Sequence, residues 1–224
     1  MTLGLPSVRE QLSRYRKEEH VKSNLLIGIW VLSSLVISGC AAQGEKIDVK
    51  ISTKPSTEAK PPAAAAVKVA VVPFQDDRID RSRLGTRQHL WGGESTFALP
   101  SGTVGEASAR ALADYLKQKG WQAALATNGT GADITITGKL LEVAVDAKSG
   151  VAHTALTGRN KMVIQADNAA DGSKVRETVS GVGSDTVFWF DPDDAEALLN
   201  DLYDRNFERF LADTKLDGKV LKLR

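Results

Sequence analysis

The chain has 224 residues, of which 42% are hydrophobic, and its 29 basic and 28 acidic residues give a formal net charge of +1. A balance so near neutrality lacks the one-sided positive charge with which proteins bind nucleic acid or an anionic membrane. Cys40 is the only cysteine, so the chain cannot form an internal disulfide.

The most informative segment is an apolar run over residues 25–36, which follows Lys22 and further basic residues. A positive flank, a short apolar centre and then small residues are typical of a secretory signal, whereas a membrane-spanning helix needs roughly 20 apolar residues. The run ends at positions 37–40 in the sequence Ile-Ser-Gly-Cys, which resembles the lipobox of bacterial lipoproteins. In proteins with that motif the signal is cut before the cysteine, whose thiol carries a diacylglyceryl group and whose new amino terminus is usually acylated.

We therefore expect residues 1–39 to be removed as a lipoprotein signal peptide and Cys40 to anchor the mature chain in a membrane. Two or three buried acyl chains, at about 0.8 kcal/mol per methylene, make such an anchor effectively permanent. Ala41 stands after the cysteine where an aspartate could stand, which resembles the Gram-negative pattern for export to the outer membrane, facing the periplasm. The alternative is an ordinary signal or membrane anchor in which the cysteine is incidental.

Residues 40–66 are expected to form a flexible linker between the anchor and the folded domain. The segment is rich in lysine, proline and alanine and has few large apolar residues, so burial cannot offset the entropy of ordering it. A coil of about 26 residues spans roughly 25–30 Å. Residues 67–224 are then a single globular domain, long enough to bury a core without disulfides.

The first half of this domain is predicted to contain one strand, a long loop and one helix. The valine-rich residues 67–74 indicate a buried strand, and a long irregular stretch follows over residues 75–102. Thr103 and Glu106 predict a capping box at the start of an amphipathic helix, which ends at Gly120.

The second half is predicted to form a meander of strands and a final helix. Strands are expected over residues 121–127, 133–146, 154–166 and 174–182. The change of alternation near Gly138 predicts a bulge. Asp191 as cap and Pro192 in the first turn mark the start of the final helix. The pattern predicts an α+β domain of two layers, with a mostly antiparallel sheet beside two amphipathic helices.

Enzyme signatures are mostly missing from the mature sequence, and neither a cofactor nor a metal site is predicted. His89 and His153 are far apart, and their spacing does not suggest a metal pair. Asp76 and Asp77 could act as an acid–base pair, but a turn in which Arg78 neutralises its neighbours is the simpler interpretation.

The irregular stretch holds the most promising functional residues, because arginine and tryptophan often carry binding energy and loops often carry function. The candidate partner-binding residues are Arg78, Arg81, Arg83, Arg87 and Trp91. The alternative is a cover over one sheet edge, in which the arginines pair with neighbouring aspartates. For the aromatic run at residues 188–190, packing in the core is favoured over an exposed binding patch.

Several short motifs follow one another in an order known from one protein family. After the lipobox and the valine-rich strand come Asp76-Asp77-Arg78, Leu84-Gly85-Thr86-Arg87, a helix ending in Lys119-Gly120-Trp121, Ala132-Asp133-Ile134, residues 139–143, and a final helix with Phe207-Glu208-Arg209. This order resembles the YajG-like family of bacterial envelope lipoproteins over nearly all of residues 67–215. The resemblance implies a lipid-anchored periplasmic domain, and it supplies no catalytic residues.

The sequence thus predicts a non-enzymatic, lipid-anchored cell-envelope protein that binds an envelope protein partner as an accessory of assembly or transport. One alternative is a carrier of a small, lipid-like ligand, which needs an apolar cavity. Another is a hydrolase that uses Asp76 or Asp77, which needs these carboxylates to cluster with His89 in a cleft.

Overall fold

The computed structural model describes residues 44–54 and 66–224. Within these residues the strands are β1 (Lys46–Asp48), β2 (Lys68–Val71), β3 (Gln75–Asp76), β4 (Gly85–Gln88), β5 (Glu94–Ala98), β6 (Gln122–Leu125), β7 (Ile134–Gly150), β8 (His153–Asn168), β9 (Lys174–Val187), β10 (Thr214–Asp217) and β11 (Val220–Leu223). The helices are α1 (Val104–Gln118) and α2 (Pro192–Ala212).

Strand β7 organises the main sheet because it pairs along both of its edges. One edge is paired with β8 over the whole length of β7, and β9 continues the sheet beyond β8 in the same antiparallel sense. The other edge pairs in parallel with three short strands in turn, β2, then β3, then β4. Strands β5 and β1 extend the sheet beyond β4, and β6 extends it beyond β2.

The two helices form one layer on one face of this sheet, which confirms the α+β prediction. Thr103 caps α1 by accepting a hydrogen bond from the amide of Glu106, and Asp191 caps α2 within a capping box. Tyr115 of α1 packs edge-on against Phe207 of α2, with ring centroids 5.6 Å apart. The predicted meander is present, and its bulge lies between Leu140 and Glu142. The short strands differ from the expected antiparallel pattern, since most of them pair in parallel with β7 or with one another.

The folded unit begins at Gly44, so the expected linker over residues 40–66 is wrong for residues 44–54. Strand β1 pairs in parallel with β5, and both Ile47 and Val49 are buried. The backbone amide of Lys50 donates to the carboxylate of Glu196 over 2.9 Å. Two buried apolar side chains and a paired backbone were enough to order a segment whose composition had suggested a coil. The rest of the expected linker, Cys40 and the predicted signal peptide lie outside the described residues.

The stretch over residues 75–102 is also more regular than predicted. It contains β3 and the antiparallel hairpin of β4 and β5. Gly85 opens this hairpin because a Cβ there would overlap the carbonyl oxygen of Val145 on β7. Leu84 beside it is buried, so the Leu-Gly pair seats the hairpin on the sheet. The hairpin of β10 and β11 at the carboxyl end was not predicted.

Candidate functional site

The ends of five strands meet at one end of the main sheet. The register pairs Gln88 with both Glu94 and Lys148, so β4 ends and β5 begins beside the last residues of β7. At the same end β7 turns into β8 and β9 finishes, with Gly150 opposite His153. The loops that project here are therefore the 89–93 turn, the β7–β8 turn and the segment that joins β9 to α2.

These loops expose a group of large apolar side chains. The group, which we call the aromatic end, consists of Leu90 (40% exposed), Trp91 (94%), Val151 (79%), Phe188 (74%) and Trp189 (82%). Together they are five of the nine exposed large hydrophobic residues in the described part of the chain. The rings of Phe188 and Trp189 stack with centroids 6.0 Å apart. Clustered apolar exposure of this kind marks an interaction site rather than ordinary surface.

A cleft of about 290 Å³ lies between these loops. Its floor includes Arg87, whose guanidinium carbon lies 4.1 Å from the centre of the Phe190 ring. Phe190 in turn packs against the buried Phe97, with ring centroids 6.0 Å apart. Burial lowers the pKa of Arg87, and the charge of Glu45 acts in the opposite direction. A half-buried arginine thus joins the aromatic end to the core and supports the segment that carries Phe188 and Trp189.

The turn that carries Trp91 is held by its own backbone and by one histidine. The amide of His89 donates to the carbonyl of Gly93 over 3.1 Å, and the amide of Gly92 donates to the carbonyl of His89. Gly92 and Gly93 both have positive φ, which glycine adopts without strain. The Nε2 atom of His89 lies 2.7 Å from the hydroxyl of the buried Ser95. This arrangement projects Leu90 and Trp91 away from the sheet.

The structure divides the predicted partner-binding residues between two places. Arg87 and Trp91 lie at the aromatic end, but Arg78, Arg81 and Arg83 line a separate cleft of about 400 Å³, which we call the arginine cleft. Strand β3 pairs with β7 at Leu140, whereas β4 pairs with it at Lys148. Eight residues of strand correspond to about 26 Å. Arg78 and Trp91, the two ends of the predicted set, therefore lie in separate places, and Arg83 lies between them with an ion pair to Glu94 over 3.4 Å.

Arg78 holds the arginine cleft together and is itself 4% exposed. Its Nε and Nη2 atoms donate to the two carboxylate oxygens of Asp76, each over 2.9 Å, and Nη1 donates to the carbonyl of Arg83 over 2.8 Å. Burial opposes ionisation of Asp76, but the hydrogen bonds and charge of Arg78 outweigh it and hold the pKa of that carboxyl below its usual value. The predicted role of Arg78 as a partner-binding residue is wrong, because a buried side chain with these bonds fixes the loop to the sheet.

The two outer arginines of this cleft also have local partners. Arg81 donates through Nε to the carbonyl of Arg78 over 3.2 Å, and Arg83 forms an ion pair with Asp80 over 2.8 Å. These contacts agree only in part with the predicted alternative, because Arg83 pairs with an aspartate but Arg81 bonds a backbone carbonyl, and the stretch adds β3, β4 and β5 to the sheet instead of covering its edge. Both side chains remain exposed.

The carboxylates and the histidine named for a hydrolase do not meet. Asp76 belongs to β3, while His89 follows β4, and their strands contact β7 about 26 Å apart. The separation removes the cleft that this alternative needs. Among the described residues, no group of three or more histidine, cysteine or acidic side chains is arranged to hold a metal ion. In the same residues no helix is long and apolar enough to cross a membrane.

Sequence reasoning missed most of the aromatic end. It favoured packing for residues 188–190, and this holds only for Phe190. A signal was available, because the three aromatic residues directly precede the helix cap Asp191. Successive side chains of an extended segment point to opposite faces, so three aromatic rings in a row before a helix cap do not all pack in one core. Val151 follows a strand that runs four residues beyond its predicted end at Asp146.

Comparisons with known proteins support no family assignment. Neither a protein-family profile nor a curated protein sequence matches the chain. The fold is similar to that of protein XCC0632 from Xanthomonas campestris, of the family DUF330, with a TM-score of 0.45, 11% identity, and coverage of 74% of this chain and 91% of that one. A PelC dodecamer subunit from Paraburkholderia phytofirmans has a TM-score of 0.35 and 17% identity, with coverage of 66% of this chain and 91% of that one. A putative neuraminyllactose-binding hemagglutinin homolog from Helicobacter pylori has a TM-score of 0.38 and 9% identity, with coverage of 74% of this chain and 94% of that one.

Proposed function

We propose that this chain is a non-enzymatic bacterial envelope lipoprotein, anchored through Cys40 in the outer membrane, whose domain binds at the aromatic end. The lipobox at residues 37–40 and Ala41 support the anchor and its membrane. The YajG-like order of motifs supports the same class of protein.

The observation that carries the binding role is the exposure of Trp91, Phe188 and Trp189 at one end of the sheet. Tryptophan and phenylalanine bury large areas on binding and lose few rotatable bonds, so they dominate the energetics of many interfaces. The rings are also mounted on a rigid base, since Phe190 and Arg87 fix the segment from below. A rigid aromatic surface needs little ordering when it binds.

The clefts of the domain do not favour the small-ligand carrier. The cleft at the aromatic end is lined largely by aromatic side chains but is open to solvent, and the arginine cleft and a third cleft of about 330 Å³ beside Gln75 and Arg176 are open and lined in large part by polar side chains. A lipid-like ligand needs an enclosed, mostly apolar cavity. None of these three has that character.

The proposal is tested by site-specific photo-crosslinking in living cells. A photoreactive amino acid that captures protein and lipid alike replaces Phe188 in the full chain, and the matched control places it at Ile79, a fully exposed site beside the arginine cleft. We expect position 188 to give a discrete adduct that position 79 does not give. Equal labelling from both positions, or none at 188, would contradict the binding role of the aromatic end.

The lipid modification of Cys40 is tested in a separate experiment. Mass spectrometry of the mature amino-terminal peptide should show Cys40 modified by a diacylglyceryl group and by an amino-terminal acyl chain. An unmodified Cys40 in a protein that still contains residues 1–39 would overturn the lipoprotein assignment.

Arg83→Ala serves as a second control in the crosslinking experiment, because loss of the Arg83 side chain should leave the adduct at position 188 unchanged.

A further inference from the structure

We propose that the aromatic end lies on the lipid bilayer in which Cys40 is anchored, so that Trp91, Phe188 and Trp189 enter the boundary between lipid and water. The inference rests on the proposed lipid anchor. It deepens the proposed function by naming the membrane's own phospholipids as what the aromatic end contacts.

The chain enters the folded domain at Gly44. The amide of Gly44 donates to the carbonyl of Glu94 over 2.8 Å, and the amide of Thr96 donates to the carbonyl of Glu45 over 2.8 Å. Glu94 is the first residue of β5 and follows directly on the turn that carries Trp91. The beginning of the folded domain is therefore beside the aromatic end.

The chain between Cys40 and Gly44 is short. Three residues, 41–43, separate Cys40 from Gly44. A fully extended chain covers at most about 3.6 Å per residue, so the Cα atoms of Cys40 and Gly44 lie within about 14 Å of each other on any path. An acylated Cys40 is fixed at the bilayer surface. The strand ends beside Gly44 are then held close to that surface as well.

The side chains that project at the aromatic end suit the boundary between lipid and water. Tryptophan is enriched where membrane proteins cross the boundary between lipid and water, because its ring is apolar and its N–H is polar. The aromatic end presents two tryptophans, a phenylalanine, a leucine and a valine on three neighbouring loops. Glu94 pairs with Arg83 over 3.4 Å, and the further basic residues near these strand ends, Arg87 and Lys148, are matched by Glu45 and Asp185, so positive charge is not in excess. Contact through the aromatic rings, rather than attraction to anionic lipid, is expected.

The opposite end of the sheet has a different character. There Asp133 pairs with Lys219 over 2.8 Å, and Lys174 pairs with Asp167 over 3.1 Å. Strand β7 connects the two ends with 17 residues, which correspond to roughly 55 Å before allowance for its bulge and twist. The domain is thus apolar at the end where the chain enters and charged at the far end. A protein partner at the aromatic end would have to reach a surface that the short spacer keeps next to lipid, which is why we favour the bilayer.

Tryptophan fluorescence in vesicles tests the proposal. The acylated mature chain is reconstituted into vesicles of phosphatidylethanolamine and phosphatidylglycerol, with or without bromine on the acyl chains. Bromine quenches only tryptophans that reach the lipid. Trp91 and Trp189 should be quenched several-fold more strongly than Trp121, which is 9% exposed and serves as the internal reference. Trp91→Phe/Trp189→Phe should lose nearly all of the quenching.

A matched control moves the reporter away from the aromatic end. In the Trp91→Phe/Trp189→Phe background, Ile79→Trp adds a fully exposed tryptophan near the arginine cleft, and we expect bromine to leave it unquenched while aqueous iodide quenches it. The proposal is overturned if acylated, vesicle-bound protein shows Trp91 and Trp189 quenched by iodide and not by bromine. That result leaves the lipid anchor and a protein-binding role intact. An unmodified Cys40 in the same preparation is the separate failure of the anchor itself.

Discussion

The guanidinium of Arg78 donates two parallel hydrogen bonds to the carboxylate of Asp76, each 2.9 Å long. Arg78 also binds the carbonyls of Arg83 and Val143, so one buried side chain connects β3, the following loop and β7. The sequence offered two roles for Arg78, as a partner-binding residue and as the residue that neutralises its aspartate neighbours, and the pair with Asp76 agrees with the second. Its partners show that it positions the loop, and that binding has to be sought elsewhere.

Arg78→Ala should therefore destabilise the domain strongly. Removing one partner of a buried ion pair costs about 3 kcal/mol, since the other charge and the freed carbonyls are left unpaired. Arg83→Ala is the matched control, because its ion pairs with Asp80 and Glu94 are both exposed and together should contribute about 1 kcal/mol. Urea denaturation measures both free energies of unfolding. Similar losses in the two variants would contradict a structural role for Arg78.

Ile47→Ala tests whether residues 44–54 belong to the folded domain. Ile47 is 8% exposed, and truncation of such a side chain costs at least about 2 kcal/mol, with the low value expected at the sheet edge where β1 lies. Asp48→Ala removes an exposed neighbour on the same strand and should change stability by less than about 0.5 kcal/mol. If the segment were a flexible tether, thermal or urea unfolding would respond to neither substitution.

The two helices are joined by a buried hydrogen bond that should show energetic coupling. The hydroxyl of Ser108 donates to the carbonyl of Val104 over 2.7 Å, which leaves its oxygen to accept from the Tyr203 hydroxyl at 2.6 Å. Burial raises the pKa of Tyr203, so the phenol remains a donor. Tyr203→Phe should cost about 1 kcal/mol, and Ser108→Ala more, since it strands the buried hydroxyl. A double-mutant cycle should give a coupling of about 1 kcal/mol, and strict additivity would argue against the bond.

Glu177 should make the stability of the domain depend on pH. Burial and the neighbouring carboxylate of Asp213 raise the pKa of Glu177 to about 7. The folded state then holds this proton over a range in which the unfolded state has released it, so stability falls as pH rises from about 4.5 to about 7. Because the side chain is partly solvated, the effect is about 1 kcal/mol. Glu177→Gln should gain this amount over the wild type at about pH 8 and little at about pH 5 in urea titrations; a gap that is constant with pH would contradict it.

The regular parts of the fold could be predicted because their signals are local. Thr103 and Asp191 identify the two helix starts through capping chemistry, and the alternation of Ile134 and Ile136 identifies β7. Strand β1 could not be predicted, since its order depends on β5, some fifty residues away. The parallel pairing of the short strands could not be predicted for the same reason. A register between distant strands leaves no trace in either segment alone.

The candidate site was predicted only in fragments. Trp91 was selected because tryptophan often carries binding energy and loops often carry function, and the structure shows its side chain 94% exposed. Phe188 and Trp189 were assigned chiefly to the core, because strand alternation puts Phe188 and Phe190 on one side and Trp189 on the other, and at least one side was expected to be buried. The aromatic end exists only through the register of β7 with β4 and β8, which brings together loops about 60 and 100 residues apart in sequence.

The most direct test of the central claim is the depth of two spin labels in a membrane. With Cys40 acylated, Val151→Cys and Ile79→Cys each introduce one free thiol, the first at the aromatic end and the second beside the arginine cleft. Power-saturation measurements on the vesicle-bound protein compare collisions with oxygen, which concentrates in lipid, and with a water-soluble nickel chelate. We predict that the label at 151 collides mainly with oxygen and the label at 79 mainly with nickel. Equal access of nickel to both labels would contradict a domain held with its aromatic end on the bilayer.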